Sequence, residues 1–387
     1  MSGKFDVIVI GLGAVGAATA YRLAKAGVRV LGLDRYAPPH TLGSSHGETR
    51  ITRFACGEGV DYTPYARRSH EIWRQLERDT GQQLLVQNGL LVISGRGERS
   101  AAHGNREFLA TTIEAARRHG VAHELLDDAH IRRRFPAFNI ADGDEAYFEP
   151  EAGFLFPERC VTAQLDQARK LGATLKTNEA VTSFTNDKSG IRVITSHGEY
   201  SADKLVIAAG PWLPKLVPGL SRLFTIRRQV LAWFRVDKSA PIDIFRPDRL
   251  PVFYWQIPRA QAIYGFPSID GETMKIATEQ YDTATTPEIV DRTVSPREIA
   301  AMHRDYVAPF FPAVSADCVR TEVCLYTCVD HARFIIDTLP DDPRVIVASP
   351  CSGHGFKHSA AIGEAVAELA RFGQPSSLDL RQFRMPS

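Results

Sequence analysis

The chain opens on two contrasting hydrophobic patterns. Residues 6–10, "DVIVI", are a short apolar run of the length of a buried strand. Residues 14–26 space their apolar side chains as a helix does, Gly27 ends the pattern, and "VRVLGLD" returns to strand character and stops at Asp34. Strand, helix and strand within thirty residues predict one βαβ unit. Residues 205–208 read as a further buried strand leading into the turn Ala209-Gly210-Pro211-Trp212. Residues 344–370 predict a strand, a glycine-broken loop and a helix with Ile362, Val366 and Leu369 on one apolar face. "TEVCLYTC", residues 321–328, suits a strand, and residues 101–135 predict helical cover. No internal repeat is evident.

Composition narrows the class. A chain of 387 residues exceeds what one core usually supports, so two lobes are expected. With 44% hydrophobic residues and 46 basic against 45 acidic side chains, the chain reads as globular and nearly neutral, with no like-charge block to track a phosphate backbone. Neither nucleic acid nor a membrane is an expected partner, since no apolar run reaches the ~18 residues that span a bilayer, and the cytoplasm is the expected compartment. Six scattered cysteines do not form a disulfide framework, and the CxxxC of Cys324 and Cys328 lacks the second pair a four-ligand metal site needs. No metal is expected. Those two thiols are either packing residues or a cofactor tether, and spacing does not decide between them.

The βαβ unit carries the first chemistry. Gly11, Gly13 and Gly16 form GxGxxG: the first allows the tight turn, the second a close approach of a pyrophosphate, the third close packing of helix on strand. The helix N-terminus then faces phosphates, and Asp34 can accept hydrogen bonds from a ribose diol. This predicts a dinucleotide, NAD or FAD. Arg35 and Ser45 join the candidate cofactor-binding residues; Gly210 joins them because its strand and turn, by themselves only a further buried element, resemble the returning strand and turn of FAD-dependent amine oxidoreductases.

Two other segments hold candidate charges. In "GSSHGETRITRFACGEG", residues 43–59, an extended run over 48–53 would send Arg50 and Arg53 to opposite sides of the chain, although spacing alone favours two surface arginines. In "SPCSGHGFKHS", Gly353 and Gly355 precede a helix start whose free N–H groups, with Lys357, suit a flavin that becomes anionic on reduction; an exposed Lys357 is equally compatible.

"GSSHGETRITR", "YGFPSIDGETMK", "CLYT" and "SGHGFKHS", together with the N-terminal fingerprint, resemble the monomeric sarcosine oxidase and N-methyltryptophan oxidase family of covalent-flavin amine oxidases, in the same order across nearly the whole chain. The resemblance implies an α/β fold: a Rossmann-like FAD-binding domain from residues 1–85, 149–219 and 322–387, and an α+β substrate domain from 86–148 and 220–321 containing a large antiparallel sheet. It implies a monomer whose partners are a small amino acid substrate and O2.

Residue by residue, it implies that Cys324 joins the flavin 8α-methyl by a thioether, while Cys328 and Cys351 pack. Arg53 and Lys357 would hold the substrate carboxylate on one flavin face. Arg50 and Lys275 would lie on the other, Lys275 serving oxygen. Tyr264 would be the substrate-side tyrosine, and His46 would lie beside the isoalloxazine. Tyr254 and Trp255 fall in a segment the family uses as pocket lining. One position departs from the pattern: sarcosine-type members carry a histidine four residues after the oxygen-site lysine, and this chain has Glu279, a candidate substrate-binding residue.

The implied reaction moves a hydride equivalent from the carbon beside the amine to the flavin. The imine hydrolyses, and oxygen takes the electrons as peroxide; an N-methyl amino acid gives formaldehyde. Alternatives are oxidation or dehydrogenation of a glycine-, proline- or pipecolate-type substrate or of N-methyl-L-tryptophan, or a non-catalytic FAD-binding subunit.

Overall fold

The computed structural model describes residues 4–95, 107–188, 190–257, 262–281 and 283–386. The strand Phe5–Ile10 lies among the parallel strands of a mixed sheet, between Val30–Leu33 and the end of Glu199–Ile207. Thr174–Lys176 extends the sheet beyond Val30–Leu33, and Asp342–Ser349 extends it beyond Glu199–Ile207, both parallel. The period-two alternation sorts the central strand between two cores. Val7 and Val9 face the helices, whereas Ile8 and Ile10 join Leu31, Leu33, Leu205 and Ile207 on the opposite face. A strand buried on both faces has no polar side to show, hence the unbroken apolar run.

Helix Ala14–Lys25 packs on this sheet beside Ser359–Phe372 and Pro157–Lys170. In the C-terminal helix Ile362 and Val366 are buried as expected, while Leu369 is half-buried at the edge of the same core. No helix among the described residues is long and apolar enough to cross a membrane.

Among the described residues, nine strands form a second sheet. Thr225–Val236 pairs antiparallel with both Thr273–Thr278 and the long strand Val314–Cys328. The sheet continues through Ile263–Phe266 and Val252–Gln256. It is not wholly antiparallel, because Val252–Gln256 pairs parallel with Leu90–Ser94. The helical cover expected over 101–135 is interrupted: Phe108–His119 and Asp128–Arg134 are helices, but Glu124–Asp127 adds an edge strand to this sheet, and 101–106 lie outside the described residues.

The close approach of the first and last helices rests on one small residue. A Cβ at Gly363 would stand 2.3 Å from Ala18 Cβ and 2.9 Å from the Thr19 backbone nitrogen. Overpacking such a contact costs typically ~1–3 kcal/mol. Gly363→Leu is therefore expected to destabilise the protein by about 3 kcal/mol, at the upper end of that range. An unchanged urea midpoint would show that the helices can separate freely.

Candidate active site

A cleft of about 400 Å³ runs between the two sheets. Gly11, Gly13, Asp34, Arg35, Ser45 and Gly210 line its wall on the parallel-sheet side, and Gly353 and Gly355 continue it. The first turn is built as its sequence demands. Gly11 has φ +86°, and a Cβ on Gly16 would lie 1.7 Å from the Gly11 carbonyl oxygen, so helix and turn meet only without a side chain there. A Cβ at Gly13 would project against Ser45 Oγ at 3.4 Å, on the lining itself. Asp34 accepts the Leu12 N–H at 2.7 Å and the Tyr36 N–H at 2.8 Å, which orients its carboxylate with lone pairs to spare. Ser45 Oγ accepts the Ala14 N–H at the start of the helix. This cradle fits the ADP half of FAD.

The opposite wall comes from the second sheet, where strand register assembles it. Tyr254 pairs directly with Tyr264, Tyr264 with Ala277, and Ala277 with Leu231. One step along, Phe266 pairs with Lys275 and Lys275 with Trp233. Alternation puts Lys275, Ala277 and Glu279 on the cleft side of their strand and Met274 and Ile276 in the outer core. The same rule separates Tyr254, which lines the cleft, from its neighbour Trp255, which packs in that outer core and takes no part in the pocket.

Arg50 and Arg53 both reach the cleft, by a route other than a continuous strand. The strand covers only Arg50–Thr52, and Glu48 has φ +70°, so the extended run over 48–53 is broken at its start. Arg53 is 3% exposed, and its Nη2 donates to Glu58 at 2.8 Å. Lys357 is 4% exposed and donates to the other oxygen of Glu58 at 2.9 Å and to the His354 carbonyl at 2.9 Å. The surface reading of these two cations is thus wrong. Burial lowers the Lys357 pKa, while Glu58 opposes the shift; for Arg53 the same burial is outweighed by Glu58 and the pKa rises. Among the described residues Arg53 Nε has no hydrogen-bond partner although it is buried.

Arg50 donates to the Thr49 and Ser44 carbonyls and approaches Cys324 Sγ at 3.5 Å. Cys324, His46 and Lys275 stand behind the lining. His46 Nδ1 lies 2.8 Å from Glu322, and burial, which lowers its pKa, is overcome by Cys324 and Glu322, leaving it raised to about 9. Burial likewise pushes the Cys324 thiol up, but His46, Arg50 and Lys275 together bring it below the ordinary value. Cys328 and Cys351 show no such activation. Burial pushes Cys328 up to about 12 and raises Cys351, which nevertheless lines the cleft and accepts the Thr327 N–H. Lys275 donates to the Gly47 carbonyl at 2.6 Å and to the Thr49 carbonyl and hydroxyl at 2.8 Å each. Burial, followed by Arg50, takes its pKa well below that of an ordinary lysine.

Three carboxylates that support the site carried no usable sequence signal. Glu58 joins Arg53 to Lys357 across 299 positions from the latter. Glu158, in the first turn of its helix, accepts the Gly47 and Glu48 N–H groups. Glu149 accepts the Phe54 and Ala55 N–H groups and the Tyr147 hydroxyl. Most of these partners are distant in sequence, and the "GEG" loop around Glu58, an acid five residues from a candidate arginine, is the one local signal that could have drawn attention.

A family model described as FAD dependent oxidoreductase (DAO) matches residues 6–369. The chain is 38% identical over 376 residues to the monomeric sarcosine oxidase of Streptomyces avermitilis, covering 96% of this chain and 95% of that one. It is 33% identical over 387 residues to the N-methyl-L-tryptophan oxidase of Yersinia pestis, covering 98% of each. Among solved structures, NikD, an unusual amino acid oxidase essential for nikkomycin biosynthesis, superposes with a TM-score of 0.83 at 24% identity, covering 99% of this chain and 98% of that one. At that identity the likeness speaks for the fold alone. The glycine-cornered turn with its oriented aspartate therefore belongs to a recognised lineage: this chain is a member of the DAO family of FAD-dependent oxidoreductases.

Proposed function

We propose that this chain is a sarcosine oxidase-like enzyme that oxidises N-methyl amino acids, releasing the demethylated amino acid, formaldehyde and hydrogen peroxide. The observation that carries this reading is the pairing of Arg53 and Lys357, buried together on the cleft. With Glu58 these three groups sum to one positive charge, which matches one carboxylate. Arg53 Nε offers a buried donor to it. FAD supplies the two-electron acceptor for the C–H bond beside the amine nitrogen and passes the electrons to oxygen.

The reactive amine must be neutral. A free amine titrates near ~10.4, so deprotonation at neutral pH costs about 4 kcal/mol. Desolvation in the closed wall and the positive charge at Arg53 and Lys357 both favour the neutral form, so no dedicated base is required. Tyr264, whose hydroxyl lies 3.2 Å from that of Tyr326, is pushed by burial up to about 12 and stays protonated as a donor on the substrate side.

Cys324 is the proposed tether. A thiolate is the nucleophile in such a bond, and protonated His46 with Arg50 favours that form here. Lys275 is the proposed oxygen-side cation; its three N–H groups are held by oxygen acceptors, so it would act through charge. The segments 1–85, 149–219 and 322–387 would hold FAD, and 86–148 with 220–321 would shape the substrate end. Oxidation of a glycine- or proline-type substrate would give ammonia or a cyclic imine in place of formaldehyde.

Four outcomes follow from these roles. Acid-precipitated holoenzyme is expected to stay yellow and Cys324→Ala to release its flavin; colour extracted from the unmutated protein would remove the tether. Arg53→Ala should raise the substrate concentration that half-saturates anaerobic bleaching by roughly 30-fold or more, the effect of losing ~2 kcal/mol at a buried charge contact. An unchanged value would place the carboxylate elsewhere. Lys275→Met should slow reoxidation by oxygen far more than flavin reduction, and equal slowing would contradict its role. Because the lysine is charged below its lowered pKa, reoxidation should also slow as pH rises through that value, at a pH below the ordinary lysine range; stopped-flow rates across pH measure this.

A further inference from the structure

Behind the cleft lining lies a second cavity of about 10 Å³, whose walls include Trp233, Phe266, Ile269, Thr273 and Lys275. That is room for about one molecule the size of water. Ile269 is 37% exposed, so the outer end meets the surface, while Lys275 is buried at the inner wall. Lys275 does not line the main cleft. Among the described residues Phe266 alone lines both cavities, and its ring centroid lies 4.2 Å from Lys275 Nζ.

Strand register builds this cavity. Lys275 pairs with Phe266 on one side and Trp233 on the other, and Thr273 lies on the same face two residues before it. The polar groups of the wall are engaged elsewhere. The N–H groups of Lys275 go to Gly47 and Thr49, the Thr273 hydroxyl donates to Asp270 at 2.6 Å, and Trp233 Nε1 donates to Glu48 at 2.8 Å. A buried water needs about two to four polar partners, whereas this cavity presents mainly the carbon surfaces of Trp233, Phe266, Pro267 and Ile269. Such a space takes a small apolar guest in preference to water. Dioxygen is one, and the Lys275 ammonium counters the negative charge that builds on it as electrons arrive.

We propose, resting on the oxidase reading above, that this cavity is a dioxygen-binding site: oxygen enters beside Ile269, lodges against Lys275 and passes Phe266 to the flavin. Oxygen and the amino acid then reach the flavin by separate routes, and reoxidation does not have to wait for product to leave Arg53 and Lys357.

The test reduces the holoenzyme anaerobically with dithionite, which removes any dependence on the substrate, and follows reoxidation by oxygen in a stopped-flow. Ile269→Trp and Thr273→Leu fill the cavity with larger side chains. Each is expected to lower the second-order reoxidation rate constant at least about tenfold, ~1.4 kcal/mol on the barrier, while reduction by dithionite stays within about twofold of the unmutated rate. Unchanged reoxidation in Ile269→Trp would overturn the inference, as would reduction slowed as much as reoxidation. If Thr273→Leu fails to retain flavin, Ile269→Trp alone decides. Slower reoxidation in Lys275→Met with both filled variants matching the unmutated enzyme would sink this inference and leave the oxidase reading standing; unmutated enzyme whose reduced flavin does not react with oxygen would sink both.

Discussion

Burying cations between two sheets is the constraint on which the rest of this molecule depends. Arg53, Lys275 and Lys357 are each nearly inaccessible, and Arg50 faces the cleft beside them. An unpaired buried charge is too costly to persist, so every one must meet an acceptor. The acceptors are the carbonyls of Ser44, Gly47, Thr49 and His354 and the carboxylate of Glu58. Residues 44–58 are thereby drawn through the interface with carbonyls turned inward. Their outward N–H groups then need partners of their own, which Glu158 and Glu149 provide. A loop that would otherwise be solvated is thereby bonded on both sides.

The same strip joins the two sheets. Leu325 donates to the Gly43 carbonyl, Ser44 Oγ to the Leu325 carbonyl, and Ser352 to the Thr327 carbonyl. The long strand Val314–Cys328 thus receives one segment from the N-terminal third and one from the C-terminal loop. That places Cys324 next to His46 and Arg50, residues more than 270 positions away. The low thiol pKa is a product of this meeting, since burial alone would raise it as it does for Cys328.

Charge also organises the substrate end. Glu58 pairs with both Arg53 and Lys357, so two buried cations share one carboxylate. On the tyrosine wall, burial holds the Tyr254 and Tyr281 hydroxyls protonated, and the neighbouring Glu279 carboxylate adds to the effect.

Local physics in the chain determined the dinucleotide end. The turn of Gly11, Gly13 and Gly16, the helix behind it and Asp34 at the second strand lie within thirty-five residues, so the whole device is encoded by short-range geometry. The strand nature of 321–328 and the C-terminal helix were legible for the same reason. Resemblance carried the proposed roles of Arg53, Lys275, Cys324 and Lys357; spacing alone favoured a surface arginine at Arg53 and left Cys324 and Lys357 undecided. Only the tertiary structure decided how those groups are electrostatically matched. Glu58, Glu149, Glu158 and Glu322 find their partners through sheet register and loop docking, and a charge pair made across hundreds of residues leaves no period in the sequence to read.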